Sequence, residues 1–122
     1  MSFFGDEVEA LDRDVCLALL ARANFGRISI NIRALPLIVP VTYRLEDDGI
    51  ILNVAGTEEA SAAHGSVVGF QADGFDDDRA RRWNVVAIGR PRPVEQPPIL
   101  DEQTRLFRLQ PTLLTGRWFE MD

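Results

Sequence analysis

Between residues 25 and 54 apolar and polar positions alternate with a period of two, and two tight turns interrupt the alternation, which predicts three consecutive antiparallel strands. Ile28, Ile30 and Ile32 alternate with Arg27, Ser29 and Asn31, the pattern of a strand with one face inward and one toward water. From 36 to 45 the pattern changes. Leu37, Val39, Val41, Tyr43 and Leu45 share one face, and Ile38, Pro40, Thr42 and Arg44 the other. Both faces are largely apolar, so this strand is expected to be covered on both sides. Glu46-Asp47-Asp48-Gly49 then precedes the β-branched run Ile50 to Val54, and an Asp-Gly pair in that place is a hairpin signal.

Ahead of this meander, Leu11, Val15, Leu19 and Leu20 recur at helical spacing, with Asp12 and Asp14 where the helix dipole favours acids and Asn24 past the end. A helix over 12–23 follows. Behind the meander, Glu58 and Glu59 open an alanine-rich stretch closed by Gly65, which predicts a short helix over 58–64 capped by Thr57. Strands are predicted over 67–73 and 83–90, joined by an acidic loop from Gly74 to Asp78 that runs into Arg79, Arg81 and Arg82. Pro91, Pro93, Pro97 and Pro98 forbid regular pairing around Val94-Glu95-Gln96, so that stretch reads as a loop or a passage along a sheet edge. A helical turn over 99–103 and strands over 105–109 and 112–119 complete the chain. Seven strands and two small helices predict a mainly β fold, a closed or nearly closed antiparallel barrel.

Composition bears on function more than on fold. With 122 residues, 46% of them hydrophobic, the chain is expected to form one domain over 1–122, with 1–10 as a flexible lead. Thirteen basic residues, all arginine, against nineteen acidic ones leave a net charge of −6, which argues against a nucleic-acid partner. One cysteine excludes an intrachain disulfide framework, and no apolar run approaches the ~20 residues of a membrane span. The acidic start Met-Ser-Phe-Phe-Gly-Asp-Glu carries no secretory pattern. A cytoplasmic protein without a membrane partner is expected.

Residue-borne chemistry is scarce. His64 is the single histidine, so a hydrolytic triad or a zinc site would have to be built around it alone, and a solvent-facing helix end is the preferred reading. Asp76-Asp77-Asp78 reads as a solvated loop rather than a cation site, and no metal is expected. Cys16 lies beside the apolar stripe of the first helix and reads as a small buried residue. Neither a glycine-rich phosphate loop nor a GxGxxG fingerprint follows any predicted strand. If the chain is an enzyme, a cofactor carries the reaction and the protein positions it.

Several segments in a fixed order carry a resemblance: Cys16-Leu17-Ala18-Leu19-Leu20, Phe25-Gly26-Arg27-Ile28-Ser29, Pro40-Val41-Thr42-Tyr43, Gly56-Thr57, Gly69-Phe70-Gln71-Ala72-Asp73-Gly74-Phe75-Asp76, Trp83-Asn84-Val85 leading to Gly89-Arg90, Gln110-Pro111 and Thr115-Gly116-Arg117. In that order they resemble the FMN-binding split-barrel superfamily related to pyridoxamine 5′-phosphate oxidase, in its small single-domain actinobacterial form. The resemblance covers residues 11–119. It implies a six- to seven-stranded antiparallel split barrel, a homodimer, and two flavin sites between the subunits. Carried over by position, the flavin ring would lie near Val39, Pro40, Val41 and Thr42. The ribityl and phosphate groups would lie near Asn53, Val54, Thr57 and Glu58, with Trp83, Asn84 and Val85 approaching from the partner.

The phosphate end departs from the family pattern. Relatives typically carry an arginine and a threonine where Asn53 and Val54 align and a lysine where Glu58 aligns. An acid in place of that lysine opposes a phosphate by an amount of order 1 kcal/mol or more at an effective dielectric near 20. Arg27, Arg79, Arg81 or Arg82 could compensate. Trp83 reads equally as a border of the flavin ring or as an interface anchor, and Arg117 and Trp118 as a closing strand with Arg117 toward solvent. The resemblance implies an FMN-binding oxidoreductase acting on an unknown small-molecule substrate. The alternatives are a non-catalytic binding module that has lost its phosphate contacts and a deazaflavin-dependent reductase.

Overall fold

The computed structural model describes residues 9–78, 80–95 and 104–120. The period-two stretch forms three strands, β2 (Phe25–Ile32), β3 (Leu35–Glu46) and β4 (Gly49–Ala55), preceded by β1 (Glu9–Ala10) and α1 (Arg13–Leu20). After them come α2 (Thr57–Ala63), β5 (Val68–Asp76), β6 (Arg81–Gly89), β7 (Arg92–Pro93), β8 (Thr104–Leu109) and β9 (Leu113–Glu120). Among the described residues the strands join one antiparallel sheet in the order β1-β9-β6-β5-β2-β3-β4-β8-β7. Seven are long. The two-residue strands β1 and β7 trim the edges, so the sheet curls into a split barrel as expected.

Both turns of the meander are two residues long. Arg33 and Ala34 take positive φ of 52° and 65°, as a tight hairpin demands, although neither is glycine. In the next turn Asp47 takes the positive φ, 54°, while Gly49 already pairs with Glu46. Gly49 serves a different purpose from the one its Asp-Gly signal suggests: a Cβ there would meet the Arg108 guanidinium at 2.6 Å.

Inward positions of the long strands fill the barrel with Ile28, Ile30, Val41, Tyr43, Leu52, Val54, Phe70, Ala72, Trp83, Val85, Phe107 and Leu109. Helix α1 adds Cys16, Leu19 and Leu20, and Gly116 on β9 lets the Cys16 thiol approach, since a Cβ would meet its sulfur at 2.6 Å. Asp12 caps α1 by accepting from the Val15 N–H at 3.0 Å. The helix is shorter than expected because the chain leaves it at Ala21, and the Asn24 carbonyl then accepts from the Tyr43 N–H at 2.9 Å. Inside, the Tyr43 hydroxyl donates to the Leu20 carbonyl at 2.6 Å and its ring meets Phe70 edge-on.

Other boundaries also differ from expectation. Gly56, at φ 95°, is the N-cap of α2, and Thr57 is its first helical residue. Gly74, Phe75 and Asp76 belong to β5 rather than to an acidic loop, because they pair with Trp83, Arg82 and Arg81 and so set an acid opposite a cation. Glu9 and Ala10, inside the stretch expected to be a flexible lead, pair with β9. Arg92 and Pro93 follow the sheet edge along β8. The helical turn expected over 99–103 and the cation Arg79 lie outside the described residues. Among the described residues no helix is long and apolar enough to cross a membrane.

Candidate functional site

Pro36 and Pro40 give β3 two residues without an N–H to share. Strand β3 pairs with β2 along its first eight residues, Leu35 to Thr42, but its ladder with β4 begins only at Thr42 opposite Asn53 and runs away from Pro40 toward the turn. Val54 and Ala55 pair with β8 alone. The strands therefore part at Pro40. Two adjoining hollows open there and share Pro40 and Ala55. One, of about 260 Å³, is lined by Phe25, Pro40, Val41, Thr42, Asn53, Ala55 and Thr104. The other, of about 420 Å³, lies between Leu37, Ile38, Val39 and Pro40 on one wall and Ala55, Gly56 and Glu59 on the other.

Polar groups ring this apolar split. Thr42 and Asn53 are exposed at one end. Arg27 stands opposite Pro40 in the ladder, with its guanidinium 5.6 Å from the Phe25 ring centroid. Glu59 folds back over Gly56, whose missing Cβ leaves room for the carboxylate. Glu58 points elsewhere. It pairs with Arg33 Nη2 at 2.8 Å across a separate open hollow of about 550 Å³ lined by Asn31, Ile32, Arg33, Thr57 and Glu58, with Ser61 and Ala62. Of the two acids that open α2, Glu59 is the one in the split.

Val39, Pro40, Thr42 and Asn53 thus come together at the split, while Val41 borders it with its side chain buried and Val54 is a core residue that does not line it. Thr57 and Glu58 lie one hollow away. Trp83, 2% exposed, and Val85 are core residues of this chain, the indole lying over Gly74, while Asn84 is half-buried on the outward face of β6. The sheet order sets β5 and β2 between β6 and β3, so Asn84 is remote from the split of its own chain. Phe25 was not singled out from sequence, Arg27 was named there only as a charge that could compensate at the phosphate, and Glu59 only as one of the acids opening the second helix. The only signal for them was position: Phe25 and Arg27 share the outward parity of Ser29 and Asn31, and Glu59 is the fourth residue of Gly56-Thr57-Glu58-Glu59.

The remaining candidates do not line the split. His64 is exposed at the end of α2, beside a hollow of about 280 Å³ that also touches Ser61 and Phe107. Asp76 accepts from the Asp78 N–H in an exposed turn, and among the described residues no group of acids, histidines or cysteines could hold a metal. The Cys16 thiol is pushed up from its usual acidity, first by burial and then by nearby Asp12, so it stays protonated at neutral pH.

A sequence model of the pyridoxamine 5′-phosphate oxidase family matches residues 12–119. An uncharacterised protein of Mycobacterium tuberculosis is 31% identical over an alignment that covers 90% of this chain and 84% of that protein. The solved FAD binding protein from Mycobacterium smegmatis is similar at a TM-score of 0.77 and 29% identity, over 93% of this chain and 99% of that one. An FAD-binding protein from Mesorhizobium loti shares the fold at a TM-score of 0.76 and 19% identity, over 93% and 98% of the two chains.

Proposed function

The chain belongs to the pyridoxamine 5′-phosphate oxidase family, and from that premise we propose that it binds a flavin in the split between β3 and β4 and serves as a flavin-dependent oxidoreductase for a small substrate. The observation that carries this reading is the parting of the ladder at Pro40. It leaves a slot with apolar walls and a few polar groups at its rim, and small-molecule sites of about 300–1,000 Å³ are built that way. Val39, Pro40 and Phe25 would flank the ring, while Thr42, Asn53 and Arg27 would meet its polar edge. When bound, the flavin supplies the two-electron chemistry that these side chains lack.

The residues present fit the ring better than they fit a terminal phosphate. Glu59 lies in the split, and Glu58 is already neutralised by Arg33. An FMN monoester concentrates close to two negative charges, whereas the diphosphate of FAD carries about one per phosphorus and adds an adenine that can stack on apolar surface. FAD is therefore the preferred flavin over FMN, and the 29%-identical M. smegmatis protein is an FAD binding protein. We propose further that two copies associate through the exposed first half of β3. Ile38 on one face is 74% exposed, and Leu35 and Leu37 on the other are 65% and 41% exposed, although the strand pattern calls for cover on both sides.

Purified protein is titrated with FAD and with FMN while flavin fluorescence is followed. Quenching with FAD at lower concentration than with FMN is expected. A colourless preparation with no quenching by either flavin at roughly 50 µM, equivalent to a binding free energy weaker than about −6 kcal/mol, refutes the reading and leaves a non-catalytic module. The change Glu59→Lys, which puts a cation in place of the acid that lies in the split, is expected to strengthen FMN binding at least tenfold. If it does nothing, the phosphate does not lie at that end of the split.

A further inference from the structure

Helix α2 sorts its side chains onto different sides. Glu59 faces the split and Glu58 faces Arg33, whereas Thr57, Ser61 and His64, spaced i, i+4 and i+7, share the side toward β8. Between that side of the helix and the edge where Pro93 pairs with Phe107 lies a hollow of about 280 Å³. Its floor is apolar: Ala60 and Phe107 are buried, and Leu106 and Pro93 complete the wall. No residue lining it also lines either hollow of the split.

The rim is polar, and its charge is positive. Arg105 alone carries a full charge among the described residues that line the hollow, although the chain as a whole has a net charge of −6. Its Nη1 donates to the Thr104 carbonyl at 3.1 Å. Thr57 and Ser61 add hydroxyls and His64 an imidazole. The end of α2 that presents His64 is tied down twice. The His64 N–H donates to the Ala60 carbonyl at 3.1 Å, and Arg90 Nη1 donates to the carbonyl of Gly65, the next residue. The His64 and Phe107 rings, with centroids 6.4 Å apart and planes tilted by 42°, form one corner of the hollow.

We propose that this hollow is a second ligand site, and that it takes a small aromatic carboxylate with its ring on the floor at Phe107 and its carboxylate toward Arg105. The volume lies at the low end of small-molecule sites, about 300–1,000 Å³, and so suits a ligand of one ring. Burial against the floor holds the ring, and the paired N–H donors of a guanidinium match a carboxylate. One guanidinium balances one negative charge, which favours a carboxylate over a phosphate dianion. The two acids of α2 do not oppose it, because they face other hollows. A neutral ring keeps only the burial, and a cationic ring is repelled.

The test uses the full chain without a histidine tag, and benzoate in the absence of flavin. His64 is the single histidine of the sequence, so its ring proton resonances report on the hollow without further assignment. Benzoate is expected to shift them saturably. Benzyl alcohol and benzylamine, which keep the ring and change the charge, are expected to bind at least tenfold more weakly. Arg105→Gln is expected to raise the benzoate Kd about tenfold, the loss of one charge-assisted contact, and to leave the benzyl alcohol Kd within twofold. Ser61→Leu, which fills the hollow from the helix side, is expected to weaken both ligands. The inference is overturned if the His64 resonances do not move with benzoate up to about 50 mM, or if benzyl alcohol binds within twofold of benzoate. It is equally overturned if Arg105→Gln, with the circular dichroism spectrum of the parent, binds benzoate as the parent does. Where that spectrum changes, the comparison of benzoate with benzyl alcohol on the parent decides. The proposal stands apart from the flavin reading: a protein that binds flavin and not benzoate overturns this inference alone, and one that binds benzoate and no flavin overturns only the other.

Discussion

Tyr43→Phe probes the junction between α1 and the barrel, and its effect can be worked out from two contacts. The hydroxyl donates to the Leu20 carbonyl at 2.6 Å, and the same carbonyl also accepts from the Ala23 N–H at 3.2 Å. Removing the hydroxyl therefore does not orphan the acceptor. The cost is one net hydrogen bond, about 1 kcal/mol, which in a chain of this size lowers Tm by about 4 °C. The pH dependence is more telling. Burial pushes the Tyr43 phenol up to about 12 in the folded chain, against about 10 when unfolded. Between those values the unfolded chain has released a proton that the folded chain still holds. The contribution is fully present below pH ~10 and is lost as the pH rises through ~12. With no lysine and one tyrosine in the sequence, the side chains titrating in this window are Tyr43 and Cys16. The thiol is the same in both proteins, so the difference between them isolates the phenol. Thermal melts from about pH 9 to 12 are expected to fall more steeply for the parent than for Tyr43→Phe. Parallel curves, or tyrosinate absorbance appearing near pH 10 in the folded protein, refute the reasoning.

Ala34→Gly relieves a left-handed backbone at φ 65° and is expected to raise stability by roughly 0.5–1 kcal/mol in urea melts; a loss of stability contradicts that conformation. Gly74→Ala places a Cβ 2.4 Å from the indole nitrogen of Trp83, so a loss of about 1–3 kcal/mol with altered tryptophan fluorescence is expected, and a silent substitution would show that the indole does not lie over Gly74. Ile38→Glu puts a charge on the outward face of β3 without touching the core, and sedimentation equilibrium is expected to shift from a dimer to the 13.7 kDa monomer. A parent protein that already sediments as a monomer removes the assembly proposal.

The local signals held where the physics is local. The alternation of Ile28, Ile30 and Ile32 settled the inward face of β2, and Asp12 settled the start of α1 through its own side chain. In both cases the determining groups lie within a few residues of each other. The doubled apolar pattern of 36–45 marked β3 as unusual, and Pro40 marked a place where pairing fails, but neither could say which neighbour would be lost. That choice depends on register between segments brought together by the whole sheet: β3 keeps β2 and parts from β4, whose last residues pair with β8 instead. Trp83 was read as a border of the flavin ring or as an interface anchor, because alternation does not say what covers a strand face, and its place over Gly74 across the ladder puts it in the core of its own chain instead. The Arg33 to Glu58 pair joins residues 25 apart, and the bond from Arg27 to Gln71 spans 44. No periodicity encodes such pairs. The sequence by itself determined which strand faces are apolar, where the meander turns and how α1 begins. Which charges meet and which acid enters the split were decided by tertiary structure, because they depend on distances between segments that only the folded sheet sets.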